Sequence, residues 1–422
     1  MKKLIPSAIL ALMCCFLACK KNDNLIVKEL PNTMDEEIAA ALFVKLQSVD
    51  FQCKLPNYLV TMGLSIPVID DAKASLGRVV FYDKNLSKDG TVSCASCHKQ
   101  NRAFSDDVAF SSGVGGQVTA RNSMSLTNIA SFAAHYAEID GRTPLLLWDG
   151  RAAEVVNQAP MAFANPHEMG LSMADVVQNA KALEYYPYFM TQAFGDPEVT
   201  EARLLEGLQE FVRALGSADS KLDRALEKVN GDLFGTTMAT IPITQQRDTI
   251  VAYYYGTHTI TVTDTIGADT IALPLMGFND SELHGRTLFA QNCTKCHTPI
   301  RSLQQEFMAC NGLEMNYIDK GRGAVTGNPA DDGVFKSPSL RNIHLTAPYM
   351  HDGRFKTLEE VMDFYSTGIQ ANPSLHPLLR DANGQALQMN FTAQEKKDLI
   401  AFLKTMTSYD VLQDPRFSSP FH

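Results

Sequence analysis

The chain has 422 residues and a formal charge of −10. That length allows two or three domains with cores of their own, and ordinary hydrophobic and charged fractions place it among soluble globular proteins. The acidic balance argues against a nucleic-acid partner and is compatible with a basic redox partner.

The first residues read as a targeting segment. Lys2 and Lys3 precede an apolar run from Leu4 to Ala18, the pattern of a secretory leader and too short for a comfortable membrane span. Phe16-Leu17-Ala18-Cys19 looks like a bacterial lipobox. Residues 1–18 are therefore expected to be a lipoprotein signal peptide, with Cys19 acylated and the protein held to the periplasmic face of a membrane by that lipid anchor only. An ordinary cleaved signal that happens to contain Cys14, Cys15 and Cys19 is the alternative. Residues 19–65 follow as a polar tether and a helix starting at Thr33, with Ile38, Leu42 and Leu46 on its apolar face.

Pro56 and Pro67 precede a helix expected over Asp71 to Tyr82, with Leu76, Val79 and Val80 on one side. A loop with Asp89-Gly90 then delivers Cys94-Ala95-Ser96-Cys97-His98. Two thiols three apart with a histidine next is the attachment pattern of c-type haem, in which the thiols bond the porphyrin and the histidine ligates iron. The pattern returns at Cys293-Thr294-Lys295-Cys296-His297. A zinc site would want a second close pair of ligands, and none is near. Two covalent haems are expected. Of the remaining cysteines, Cys53 and Cys310 could pair in an oxidising compartment or stay free.

The chain also repeats itself around these motifs. Gly77-Arg78 and Phe81 precede the first; Gly285-Arg286 and Phe289 precede the second. Ser125-Leu126-Thr127-Asn128-Ile129 is answered by Ser339-Leu340-Arg341-Asn342-Ile343, and Asp149-Gly150-Arg151 by Asp352-Gly353-Arg354. The order of landmarks implies two related helical units, each resembling a cytochrome c. The expected fold class is mainly α: tandem haem domains over residues 66–230 and 277–422, with a small β-rich hairpin insertion at 231–276. The first unit contains a helix from Glu201 to about Leu215, capped by Thr200. In the insertion, Thr259 to Thr263 alternates with period two. Capping boxes at Asn279/Glu282, Thr357/Glu360 and Thr392/Glu395 start helices in the second unit, the latter two reaching about Thr367 and Met406. The run from Gly321 to Gly333 reads as a loop.

Two tandem motifs with Trp148-Asp149-Gly150-Arg151 in the first unit, and Ala347-Pro348-Tyr349-Met350-His351-Asp352-Gly353-Arg354 in the second, resemble the bacterial di-haem cytochrome c peroxidases and their MauG-type relatives. The resemblance covers roughly residues 65 to 407 apart from the insertion. It implies that the haem on His98 is peroxidatic and the haem on His297 handles electrons. It implies Gln158 and Glu168 over the open face of the first haem, and the sole tryptophan, Trp148, between the haems as an electron mediator. Chemistry asks for such an acid: splitting HO–OH needs a proton moved to the leaving oxygen, which a carboxylate in reach can do. From its own surroundings in sequence, Glu168 is an ordinary loop acid.

The resemblance further implies one calcium ion held by Asn122 with the carbonyls of Thr346 and Pro348. Two positions depart from the activation-dependent peroxidases. Val114, in Gly113-Val114-Gly115-Gly116, stands where they place a distal histidine, so the first haem is expected open and high-spin. Tyr365 stands where they place a methionine on the second haem, as in the MauG-type branch; Met350 and Met362 lie nearby, and Tyr365 also fits a plain core position. The activity implied is reduction of hydrogen peroxide to water with electrons from a small donor such as cytochrome c. Alternatives are a MauG-like enzyme oxidising residues of a partner protein through a high-valent state, and a non-catalytic di-haem electron carrier.

Overall fold

The computed structural model describes residues 49–61, 68–128, 145–229, 238–242, 268–272, 277–297 and 308–421. The expected signal peptide, Cys19, the helix from Thr33 and the alternating stretch at Thr259 lie outside the described residues.

The elements that position the haem motifs are helical. In the first unit they are α1 (Asp71–Tyr82), the single turn α2 (Cys94–Cys97), α3 (Val155–Ala164), α4 (Met173–Lys181), α5 (Tyr185–Phe194), α6 (Glu201–Ala214) and α7 (Lys221–Lys228). Two short strands follow, β1 (Met238–Pro242) and β2 (Ala268–Ala272), paired antiparallel with Met238 opposite Ala272. The second unit is built on α8 (Asp280–Asn292), α9 (Leu358–Asp363) and α10 (Ala393–Lys404). The mainly helical fold class with a small two-stranded sheet is as expected.

Helix starts follow local chemistry. The Thr200 hydroxyl accepts from the Arg203 amide at α6, and reciprocal capping boxes form at Asn279/Glu282, Thr357/Glu360 and Thr392/Glu395. Each satisfies amides that the first turn leaves orphaned, worth about 1 kcal/mol per cap. The helix from Thr357 differs from expectation at its end: α9 stops at Asp363 and the chain continues as a π turn, Phe364–Gly368. The glycine-rich run 321–333 also holds more order than a loop, with a helical turn at Gly323–Thr326 and a 3-10 turn at Pro329–Asp331.

The repeated sequence landmarks prove to be repeated packing devices. In α1, a Cβ on Gly77 would lie 1.9 Å from the Gly207 carbonyl of α6; in α8, a Cβ on Gly285 would lie 1.9 Å from the Asp398 carbonyl of α10. Only a hydrogen side chain lets these helix pairs cross so closely. One turn on, Phe81 meets Phe211 at 5.2 Å and 53°, and Phe289 meets Phe402 at 5.3 Å and 53°. Asn128 and Asn342, both left-handed and fully buried, accept at Oδ1 from the Ser217 and Ser408 amides and so tie down the chain leaving α6 and α10. Gly150 and Gly353 give the two Asp-Gly-Arg turns the same positive φ, 66° and 63°. The two units are one design used twice.

Two large cores result. One gathers Phe81, Phe104, Phe163, Phe211 and their neighbours; the other gathers Phe289, Leu358, Leu399, Phe402 and Leu403. The cores exchange segments of chain. Leu222 and Leu226 of α7 pack in the second core, and Val411 and Phe417 return to the first. α7 is held there by a buried ion pair, Arg341 to Asp223 at 2.6 and 2.7 Å, with the Tyr58 hydroxyl donating to the same carboxylate at 2.6 Å. Cys53 and Cys310 are both free thiols.

Candidate functional site

Each CxxCH motif folds as one tight turn. The His98 amide donates to the Cys94 carbonyl at 2.9 Å, and the His297 amide to the Cys293 carbonyl at 2.8 Å. This brings both thiols and the following imidazole to one side of the turn. Each imidazole then has its Nδ1 at a backbone carbonyl: Phe104 at 3.0 Å for His98, Pro338 at 3.2 Å for His297. A ring that donates through Nδ1 carries its lone pair on Nε2, the atom a metal needs. Burial lowers the affinity of both imidazoles for protons, that of His297 to about 4, so neutral rings are available for ligation at neutral pH. The donor set, tautomer and turn fit a covalently held haem at both places.

Around the first motif, three loops converge. Gly113 to Gly116 lies against the turn after α3: the Val114 amide donates to the Glu168 carbonyl at 2.9 Å, and a Cβ on Gly113 would lie 2.1 Å from the His167 carbonyl. The Val114 side chain is buried in the first core. Glu168 is half-buried and close enough to Cys94 and Cys97 for its charge to act on both thiols. Burial raises its proton affinity above the ordinary glutamate range; the Asn165 amide, donating at 2.7 Å, and the charge of Arg151 oppose this without cancelling it. Gln158 sits half-buried on α3, and among the described residues no hydrogen bond joins its side chain to Glu168. His167, the neighbour of Glu168, is exposed and has Nδ1 at the Val118 carbonyl, 3.0 Å away.

The second motif opens onto a large cavity. Cys293, Cys296 and His297 line it together with Leu358, Val361, Leu399 and Leu403, an apolar wall suited to a porphyrin. Tyr365, Met350 and Met362 line it too. Tyr365 is carried on the π turn that interrupts the helix after α9, a widening often found at functional sites. Burial, with some help from the neighbouring thiols, pushes its phenol up to about 12, the polar Asn311 side chain opposing this. Met362 is buried in the second core, while Met350 has a positive φ of 74° in the turn before His351.

Trp148, Asn122, Thr346 and Pro348 line the same cavity. The Trp148 indole donates to the Asn122 carbonyl at 2.8 Å, and its own carbonyl accepts from the Lys336 amide at 2.7 Å. Arg121 bridges Asp149 and Asp319 at 2.6 Å each, while Arg322 donates to the Asp149 and Gly150 carbonyls. The half-buried tryptophan is thus held by backbone groups of both units, and the Asp149-Gly150 turn that follows it by arginines of both. His351 stacks on Phe335 at 3.9 Å and 15°, closing one side of this junction. Asn165, Asn311, Arg121 and Asp319 were not among the sequence candidates. Arg121, Asp319 and Asn311 touch partners distant in sequence, and Asn165 bonds Glu168 three positions on; no spacing rule marks a second layer of hydrogen bonds.

The family model described as di-haem cytochrome c peroxidase matches residues 71–231, and that described as cytochrome c matches residues 283–407. The methylamine utilization protein MauG of Methylorubrum extorquens is 30% identical over 338 residues, covering 79% of this chain and 78% of that protein. The cytochrome c551 peroxidase of Nitrosomonas europaea is 29% identical over 351 residues, covering 82% of each. Among solved structures, a MauG-like protein associated with microbial copper homeostasis superposes with a TM-score of 0.63 at 30% identity, covering 85% of this chain and 96% of its own. The diheme peroxidase BthA of Burkholderia thailandensis, at 20% identity and a TM-score of 0.56, shares the fold. On this likeness the protein belongs to the family of bacterial di-haem cytochrome c peroxidases and MauG, whose members carry two c-type haems.

Proposed function

We propose that this protein is a di-haem peroxidase that reduces hydrogen peroxide to water, drawing electrons from a small redox protein such as a cytochrome c. The observation that carries the reading is the Glu168 carboxyl, half-buried, within range of the first motif's thiols for its charge to act on them, and oriented by Asn165.

His98 and His297 would hold the irons through Nε2, with Cys94, Cys97, Cys293 and Cys296 holding the porphyrins. When bound, the haems supply redox chemistry and, at the first, a position where peroxide can bind. The Glu168 carboxylate takes the proton from one peroxide oxygen and returns it to the other, so that water rather than hydroxide departs. Its raised proton affinity suits both halves of that transfer. Gln158 assists by orienting the substrate. Trp148, fixed through its indole N–H and its carbonyl, is the mediator between the two units. The first unit is accordingly assigned the peroxide chemistry and the second electron entry.

Several finer points belong to the same proposal. A calcium ion at Asn122, Thr346 and Pro348 is supported by all three lining the same cavity; Asn122 Nδ2 donates to the Val108 carbonyl at 3.1 Å, which leaves Oδ1, the atom a hard cation would use, pointing away from that carbonyl. Export to the periplasm and anchoring through Cys19 rest on the leader sequence; among the described residues no helix is long and apolar enough to cross a membrane.

A second reading, oxidation of residues on a partner protein, is favoured by Tyr365 in the second cavity. A phenolate disfavours ferrous iron, whereas methionine raises the potential. Peroxide added to the diferric protein separates the two readings. Rapid return to the starting visible and near-infrared spectrum with reduced cytochrome c consumed supports the peroxidase. A long-lived oxidised state indifferent to cytochrome c overturns it in favour of the second reading.

A further inference from the structure

The carbonyl that fixes the His98 ring stands on strained backbone. Ala103 and Phe104, neither a glycine, are both left-handed, with φ of 52° and 58°. Such a pair persists only where surrounding contacts hold it. The reversal it makes presents the Phe104 carbonyl to His98 Nδ1, 3.0 Å away. Downstream, the Ser125 hydroxyl donates to the Ala103 carbonyl at 2.6 Å and the Leu126 amide to the Phe104 carbonyl at 3.1 Å. Upstream lies the 3-10 turn Gln100–Arg102, closed by the Ala103 amide on the Gln100 carbonyl at 3.0 Å.

The Gln100 side chain is gripped by chain that follows α10 of the second unit. Its Nε2 donates to the Val411 carbonyl at 3.0 Å and the Asp414 carbonyl at 2.8 Å, and its Oε1 accepts from the Ser418 hydroxyl at 3.0 Å. Backbone carbonyls only accept, so the orientation of the amide is assigned. The gripping segment does not depend on Gln100 for its own place. Val411 and Phe417 are buried in the first core. The Tyr82 hydroxyl donates to the Phe417 carbonyl at 2.6 Å, and Arg78 donates to the Ser418 and Pro415 carbonyls at 2.6 and 3.0 Å. Residues 411–418 therefore form a strap that is anchored on α1 and the first core and holds the glutamine from there.

We propose that Gln100 is a positioning residue through which this strap fixes the Phe104 carbonyl, and with it the proximal histidine of the first haem. This rests on the reading of His98 as that ligand. A carbonyl held against Nδ1–H makes the imidazole a more basic donor, and a more basic donor favours ferric and higher states of the iron. Released from the strap, the 3-10 turn loosens, the left-handed pair relaxes and the carbonyl draws back from the ring. The second unit thus supplies part of the proximal side of the first.

The test uses holoenzyme, resonance Raman spectra of the ferrous protein and a spectroelectrochemical titration. An iron–histidine stretch is the mark of a five-coordinate ferrous haem, so it reports the open first haem and not a six-coordinate second one. Gln100→Ala deletes all three bonds to the strap, and Ser418→Ala, made on the strap, deletes one. Gln100→Ala is expected to lower the stretching frequency and raise the midpoint potential of the first haem. Ser418→Ala should do the same to a smaller extent, and the second haem should keep its spectrum in both. Thr200→Ala, which removes the cap of α6, is the control for lost stability alone and should move neither reading. An unchanged frequency and potential in Gln100→Ala, with only a lower melting temperature, would assign Gln100 a structural role and overturn the proposal. Equal shifts in Thr200→Ala would overturn it too. If Gln100→Ala fails to load haem, Ser418→Ala decides by the same two readings. A parent protein without the iron–histidine band removes the open first haem, and the midpoint potential then decides this inference. A parent band that Gln100→Ala leaves in place removes the inference alone.

Discussion

Replacing Glu168 by Gln keeps the size of the side chain and an oxygen for Asn165 to bond, and removes only the capacity to take and return a proton. A positioned acid–base group contributes roughly 10²–10⁴ in rate, or about 3–5 kcal/mol of barrier. Turnover of peroxide with reduced cytochrome c should fall by about that factor, with haem loading and spectra intact. The pH profile adds a sharper test. The transfer begins from the carboxylate, so activity falls as pH drops through the Glu168 pKa, which burial has raised and which Asn165 and Arg151 pull back. Asn165→Ala deletes a donor at 2.7 Å. A hydrogen bond to a charged group is worth about 1.5–3 kcal/mol when buried. Discounted for a half-exposed site, this gives an upward move of the acid limb of about one pH unit. Asn165→Asp preserves the oxygen that accepts from the His167 amide at 3.0 Å and substitutes a like charge for the donor, so its limb should move further the same way. Full turnover in Glu168→Gln, or an acid limb indifferent to both Asn165 variants, would refute the assignment.

Three other outcomes are expected. Before any reduction the ferric protein should show a high-spin haem, because Val114 is packed in the core and the adjacent His167 is exposed with its ring at the Val118 carbonyl; a purely low-spin resonance spectrum would contradict this. Arg341→Met should cost about 3–5 kcal/mol in urea unfolding by stranding the buried Asp223, and adding Asp223→Leu should recover much of it. Burial, the largest single influence, would raise the Asp223 pKa, but the Arg341 charge together with hydrogen bonds from Arg341, Ser220 and Tyr58 outweighs it and lowers the pKa; the pair's stabilisation is therefore complete above the ordinary aspartate range and lost as pH falls through the lowered value. Gly285→Ala should lower the melting temperature through overpacking of about 1–3 kcal/mol or more, since its Cβ would stand 1.9 Å from the Asp398 carbonyl; an unchanged melting curve would mean that α8 and α10 can part freely.

What the sequence disclosed and what it hid differ by the range of the interaction. Capping boxes are three-residue events, so Thr357/Glu360 and Thr392/Glu395 could be read directly. Haem attachment is a five-residue event. The internal repeat was also visible, but its meaning was not: that Gly77 and Gly285 admit a crossing carbonyl, and that Asn128 and Asn342 hold the chain after a distant helix, needs the partner helix in view. Helices with prolines inside them escaped notice for a local reason. Pro160 sits within α3 and Pro187 within α5, where a missing N–H usually marks a break. In α3, packing against the first core through Ala159 and Phe163 outweighs the lost bond; in α5, Pro187 stands in the first turn, whose amides have no intrahelical partner, so no bond is lost.

The same contrast bears on the site. The groups that bond haem announce themselves because covalent chemistry dictates their spacing. The groups that tune it do not. Asn165 adjusts an acid three residues away, but Asn311 meets the Met350 sulfur from 39 positions earlier and from another loop. The ligand of the second haem is thus to be read from spectra rather than from spacing, and the spectra of Tyr365→Phe bear directly on the choice between peroxide turnover and long-lived oxidation.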